Sequence, residues 1–300
     1  MTRRKRLLFR AMRVGKNLAA NKDKIERELV RILPRGSSRL DQAMRYSVLD
    51  GGKRFRPLLL ISSGTCFGVD NRVLLPFACA LELIHSYSLI HDDLPAMDDD
   101  DVRRGKPSCH RVFGENVALL AGDGLLTLAF EILAAAAVPA ELLPQKQAAV
   151  RMIGRRAGAE GMIGGQFLDI TVEPNRLAAE LMEEIILKKT GALISAAVEV
   201  GAILGRAAAA EKRAILDYGR RVGLAFQIRD DLQDSRRERR RKLPRRPDYV
   251  LRFGRSAADK KLVELVSGAV GALERFSKRA DELRFLAASL LEANPEVPHA

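Results

Sequence analysis

Apolar residues recur at three- and four-residue spacing along almost all of this 300-residue chain, and nowhere do they alternate strictly. That period builds one-sided helices rather than half-buried strands. Ile25, Leu29, Ile32 and Leu33 set the spacing in a helix expected over 20–33, and Pro34-Arg35-Gly36-Ser37-Ser38 ends it. Further helices are expected over 40–49, 58–66, 73–92, 116–138, 145–169, 177–204, 211–234, 257–272 and 275–291. Gly51-Gly52 closes the second helix, and Pro57 suits the first turn of the third. Gly154, Gly158, Gly161, Gly164 and Gly165 let neighbouring helices approach closely. Trp is absent and aromatics make up 5%, which also favours helices over sheets. The expected architecture is one all-α bundle over 20–293, with a basic extension at 1–19 and a short tail at 294–300.

The net charge of +13 is concentrated in two places. Met1–Lys16 and Arg236–Arg246 carry +7 each, leaving −1 for the rest. A near-neutral body argues against nucleic acid as the partner, despite a pI near 10. The basicity is thus a property of one tail and one loop, which suit at most a weak membrane contact. Three cysteines without CxxC spacing read as reduced thiols in a cytoplasmic protein. No apolar run reads as a membrane span, since the best candidate, 119–138, contains Asp123 and Glu131. The N-terminus lacks the apolar core of a secretory signal.

Two aspartate clusters end apolar helical runs: His91-Asp92-Asp93-Leu94-Pro95-Ala96-Met97-Asp98-Asp99-Asp100-Asp101, and Asp230-Asp231-Leu232-Gln233-Asp234. Asp230 and Asp234 fall about one turn apart on one helix face. Pro95 interrupts the first helix and leaves Asp92 and Asp98 able to face one metal. Either cluster alone also describes a solvated acidic patch. Together they ask for a hard divalent cation, and Mg²⁺ shares its shell with phosphate oxygens.

Cationic segments complement the acids. Gly51-Gly52-Lys53-Arg54-Phe55-Arg56-Pro57 is a tight turn with three cations, Arg103-Arg104-Gly105-Lys106 follows the first acidic cluster, and Lys188-Lys189-Thr190-Gly191 sets a hydroxyl beside an ammonium. His85 lies two helical turns before Asp92 on the same face, where a histidine is ordinarily a core residue.

These segments resemble the trans-prenyl diphosphate synthases of the polyprenyl synthetase family, especially bacterial farnesyl diphosphate synthases. The resemblance rests on GGKRFRP (51–57), ELIHSYSLIHDDLPAMDDDDVRRGKPSCH (82–110), AGDGLLTLAFEIL (121–133), GMIGGQFLDI (161–170), KTGALISAAVEVGA (189–202) and FQIRDDLQD (226–234). It implies an isoprenoid-synthase bundle around a central apolar cavity, working as a homodimer with Mg²⁺, up to three ions per site. Asp92, Asp98 and Asp230 would hold the metal on an allylic diphosphate, supported by Asp93, Asp231 and Asp234. Lys53, Arg56, His85 and Arg104 would bind isopentenyl diphosphate. Arg103, Lys189, Thr190 and Gln227 would hold the allylic substrate, with Lys189 joining the three metal-binding aspartates as catalytic.

Tyr87 lies five residues before Asp92, about 7.5 Å down the helix. With small Ser88 and the inserted Pro95-Ala96, it resembles the floor of family members that stop at C15. Farnesyl diphosphate is thus the expected product, with geranylgeranyl diphosphate as the alternative. The chain departs from the family after FQIRDDLQD. The loop 235–246 is short and basic, the usual loop lysine has no clear counterpart, with Lys242 or a nearby Arg as the candidate substitutes, and the tail lacks basic residues. These departures keep a non-catalytic subunit of a heteromeric synthase as the reading from another class. A terpene cyclase would have no need of the GGKRFRP and RRG segments.

Overall fold

The expected helical period is realised in a computed structural model that describes residues 3–49, 51–172, 178–237 and 248–292. Two helices, α3 (Phe55–Cys66) and α10 (Gly191–Leu204), are buried nearly all round, as their predominantly apolar and small residues require. A Cβ on Gly201 would lie 2.5 Å from the Gly64 amide nitrogen, so here the two backbones nearly touch. On its other side α10 meets α11 (Ala209–Arg237), where a Cβ on Gly223 would lie 2.7 Å from Gly191 Cα. Ser63 Oγ donates to the Val198 carbonyl at 2.7 Å, satisfying a buried hydroxyl between α3 and α10.

Around this centre lie α1 (Arg3–Ile32), α2 (Arg39–Leu49), α4 (Asn71–Asp92) and α6 (Glu115–Ala135). On the other flank are α7 (Leu143–Ala157), α8 (Met162–Thr171) and α9 (Ala179–Lys189). Short α5 (Cys109–Phe113) and α12 (Tyr249–Phe253) lead into α6 and α13 (Arg255–Ala272), and α14 (Asp281–Ala288) ends the bundle. Asp70 caps α4 by accepting from the Arg72 amide at 2.7 Å.

The all-α expectation holds, with local differences. The helix expected over 20–33 starts at Arg3, and Val14 and Leu18 of its first half are in the core. The stretch 145–169 is two helices, broken at 158–161, where a Cβ on Gly161 would lie 2.0 Å from the Arg156 carbonyl. The stretch 177–204 bends at Thr190, setting Lys189 and Thr190 on a corner between α9 and α10. One small hairpin was not expected: β1 (Val102–Arg103) pairs with β2 (Lys106–Pro107). Its two loop residues, Arg104 and Gly105, have φ of 55° and 79°, the doubly positive pattern of a tight hairpin turn.

Two described helices, α4 and α6, are long and apolar enough to cross a membrane by length and composition alone. Helix α4 is mostly buried inside the bundle, whereas α6 leaves Leu119 and Leu120 exposed. The expected basic loop lies outside the described residues over 238–246, as do Lys242 and the tail 294–300. The described helix α1 covers the basic N-terminus from residue 3.

Candidate active site

Helix ends and one turn converge on a cavity of about 1120 Å³. Helix α4 contributes His85, Tyr87, Ser88, His91 and Asp92, and the face of α11 contributes Phe226, Gln227, Asp230 and Asp234. The α9–α10 corner adds Lys189 and Thr190, the 52–56 turn adds Lys53 and Arg56, and the hairpin adds Arg103 and Arg104. The residues assigned from sequence thus line one space, except Asp93, Asp98 and Asp231, which are not in the wall. The chain turns after α4, and Asp98 N–H donates to the Asp92 carbonyl at 2.8 Å, so the two aspartates are linked through backbone.

Two of the three cationic segments meet directly. Arg104 Nη1 donates to the Gly51 carbonyl at 2.6 Å. Gly51 and Gly52 have φ of 91° and 133°, and a Cβ on Gly52 would crowd the Arg54 and Arg104 guanidinium groups at 3.2–3.3 Å. A side chain there would therefore be both strained and in the way. The sequence offered three cations in this turn, but the Arg54 side chain is fully buried and tied into the protein. It donates to Glu26, Glu82 and the Val48 carbonyl. Arg54 anchors the turn, and Lys53 and Arg56 line the cavity wall beside it. Arg56 also lies 5.6 Å from the centre of the Phe226 ring, a cation–π contact.

Other charged groups are held by neighbours. Arg103 bonds both oxygens of buried Asp93 and one of Asp100. Lys189 Nζ pairs with Asp169 on α8. Thr190 Oγ1 donates to Gln227 Oε1 at 2.7 Å, Gln227 Nε2 donates to Asp231 Oδ1 at 2.9 Å, and Asp231 Oδ2 accepts from the Tyr249 amide at 2.8 Å. This chain fixes the Thr190 hydroxyl proton on Gln227 and leaves the oxygen lone pairs available.

Burial sets the electrostatics. It pushes Asp230 up to about 6 and Asp231 up to about 7, against the opposing pull of Arg229 and Lys53 on Asp230 and of two hydrogen bonds on Asp231. Burial, together with Arg56, Arg104 and Arg103, holds His85 well below the ordinary histidine range, so its imidazole is neutral. Burial pushes the Tyr87 phenol up to about 12, and its hydroxyl has no protein partner.

Mg²⁺ fits this donor set. Asp92, Asp230 and Asp234 present hard oxygen ligands to one cavity. Among the described residues no three acidic, histidine or cysteine groups cluster closely enough to hold a metal by themselves. A cation completed by substrate oxygens matches that arrangement.

Sequence reasoning passed over Gln166, Phe226 and Asp169. Gln166 lines the cavity with neither amide atom hydrogen-bonded in the protein. It stands in GMIGGQFLDI, and that segment was the available signal. Ile163, Phe167 and Ile170, also on α8, give the cavity an apolar wall.

A bundle whose carboxylates and cations face each other across an apolar chamber defines a diphosphate-handling all-α enzyme. Residues 37–242 match the polyprenyl synthetase family. The chain is 46% identical over 221 residues to the farnesyl diphosphate synthase of Geobacillus stearothermophilus, covering 72% of this chain and 74% of that one. It is 41% identical over 252 residues to the farnesyl diphosphate synthase of Escherichia coli (strain K12), covering 84% and 81%. Among solved structures, an FPP/GFPP synthase from Zymomonas mobilis superposes with a TM-score of 0.84 at 34% identity, covering 94% of this chain and 100% of that one. The chain belongs to the polyprenyl synthetase family.

Proposed function

We propose that this prenyltransferase condenses isopentenyl diphosphate head to tail with dimethylallyl and geranyl diphosphates, releasing diphosphate and giving farnesyl diphosphate. The observation that carries the reading is the cavity itself. It holds two sets of carboxylates, a ring of cations and an apolar wall containing Tyr87.

Asp92 and Asp230 would hold Mg²⁺ with Asp234, and Asp98 supports Asp92 through the turn. The bound metal would supply positive charge to the departing diphosphate. Arg103 and Lys189 add fixed cations on the same allylic side, held in place by Asp93 and Asp169. Lys53, Arg56 and Arg104 take the diphosphate of isopentenyl diphosphate, with neutral His85 as a further hydrogen-bonding group. The allylic C–O bond breaks and its electron pair leaves with diphosphate. The double bond of isopentenyl diphosphate attacks the resulting carbocation, and a proton then passes to the released diphosphate. Thr190, with its proton committed to Gln227, presents lone pairs to the cation. The apolar wall formed by Ile163, Phe167 and Phe226 keeps out water that would trap it.

The exposed apolar residues Leu119 and Leu120 on α6 support a homodimer through that helix. Buried, unpaired Cys66, Cys79 and Cys109 support a cytoplasmic location. The test is purified protein with Mg²⁺, isopentenyl diphosphate and each allylic primer, followed by product identification. C15 product, lost on chelation, is expected. C20 as the main product would favour the geranylgeranyl reading. No condensation with any primer would favour a non-catalytic subunit.

A further inference from the structure

Tyr87 is buried in the cavity wall, and its hydroxyl has no partner in the protein. No polar bond fixes its ring, so packing alone sets the ring's position. The ring meets His91 edge to face, with centroids 5.7 Å apart and planes at 77°. His91 is itself fixed from the far side. Its Nε2 lies 3.0 Å from the Leu119 carbonyl on α6, in hydrogen-bond contact. It also fills a niche that exists because residue 122 is glycine: a Cβ there would lie 2.1 Å from His91 Nε2 and 2.4 Å from Cδ2. Both His91 and Tyr87 line the cavity.

We infer that His91 is a specificity-determining positioning residue, which braces the Tyr87 ring against α6 and so sets where the growing prenyl chain stops. The inference rests on the reading of Tyr87 as the cavity floor. In that arrangement α6 carries the load: the Leu119 carbonyl and the Gly122 niche hold the imidazole, the imidazole holds the phenol, and the phenol limits the chain. Without the imidazole edge, the Tyr87 ring can tilt toward the vacated niche and open the cavity below Asp92.

The experiment is a double-mutant cycle with Tyr87→Ala, His91→Ala and the double variant, each given geranyl diphosphate, isopentenyl diphosphate and Mg²⁺, with C15 and C20 products quantified. His91→Gln, which can still donate to the Leu119 carbonyl, stands in if His91→Ala does not fold. His91→Ala is expected to raise the C20/C15 ratio roughly tenfold, the scale of one lost edge-to-face ring contact. Its melting temperature and KM for isopentenyl diphosphate should change little. In the Tyr87→Ala background, removing His91 is expected to add nothing. A longer product from Tyr87→Ala with an unchanged ratio in both His91 variants overturns the inference alone. So does additive lengthening in the double variant, which would mean that His91 acts without Tyr87. An unchanged product from Tyr87→Ala overturns the floor reading instead, and the inference with it.

Discussion

Replacing Arg54 by methionine should cost this protein a large part of its stability. The Arg54 side chain is fully buried, and Nη1 donates at 2.8 Å to Glu82, which is almost as deep at 3% exposure. Stripping the cation from a buried pair costs about 3–5 kcal/mol, because the carboxylate is left without its charge partner. Loss of the 2.7 Å bond to the Val48 carbonyl adds about 1 kcal/mol. Glu26 is one-third exposed, so screening holds its share below about 1 kcal/mol. The left-handed backbone at residue 54, φ 49°, stays strained with methionine and offsets nothing. The expected loss is about 4–6 kcal/mol, out of a total of about 5–15 for a folded domain. Urea unfolding at fixed protein concentration measures it. Glu82→Gln in the same chain should recover about 2 kcal/mol, since it removes the stranded anion. A loss under about 1.5 kcal/mol, or no recovery in the double variant, would refute the claim that this pair anchors the turn.

Other outcomes follow from the same structure. Tyr87→Ala should lengthen the product from C15 toward C20, read by mass spectrometry; an unchanged C15 product would remove Tyr87 as the floor. In Gly165→Ala the new Cβ would lie 2.2 Å from the Lys189 amide nitrogen, displacing the α9–α10 corner. kcat should fall about a hundredfold, the scale of an ångström-sized misplacement, while circular dichroism stays helical. Burial pushes Cys66 up to about 11 and raises Cys79 and Cys109 as well. A thiol reagent at pH 8 should therefore label none of them in the native protein and all three in urea, and prompt native labelling would contradict the burial. Tyr218→Phe should cost about 1 kcal/mol by removing the buried 2.7 Å hydroxyl bond to the Leu283 carbonyl, and leave the product unchanged.

The aspartate clusters, the cationic segments and the helical period were all legible in the sequence, because each is a local pattern. Asp230 and Asp234 share a helix face in any context that keeps the helix, and both line the cavity. The breaks at 158–161 and Thr190 were less legible. Their glycine-rich and apolar sequences suit a continuous helix as well as two close-packed ones, and only the neighbouring helices decide. Arg54 shows the limit most clearly. In sequence it is one of three equivalent cations, and its inward turn depends on Glu82, 28 residues away. Gln166 was unreadable for a related reason: an amide lacking partners can be recognised only once its surroundings are known.

By itself, then, the sequence determined that the chain is helical, that its excess charge sits in two short segments, and that it carries paired acidic and cationic motifs for a diphosphate. Side-chain period and charge belong to consecutive residues, so no partner is needed to read them. Tertiary structure alone decided which cations face the cavity, which carboxylates are buried enough to titrate near 6 or 7, and that His91 stands between Tyr87 and α6. Those properties depend on burial and on contacts between distant segments. Packing creates both, and no run of residues contains them in advance.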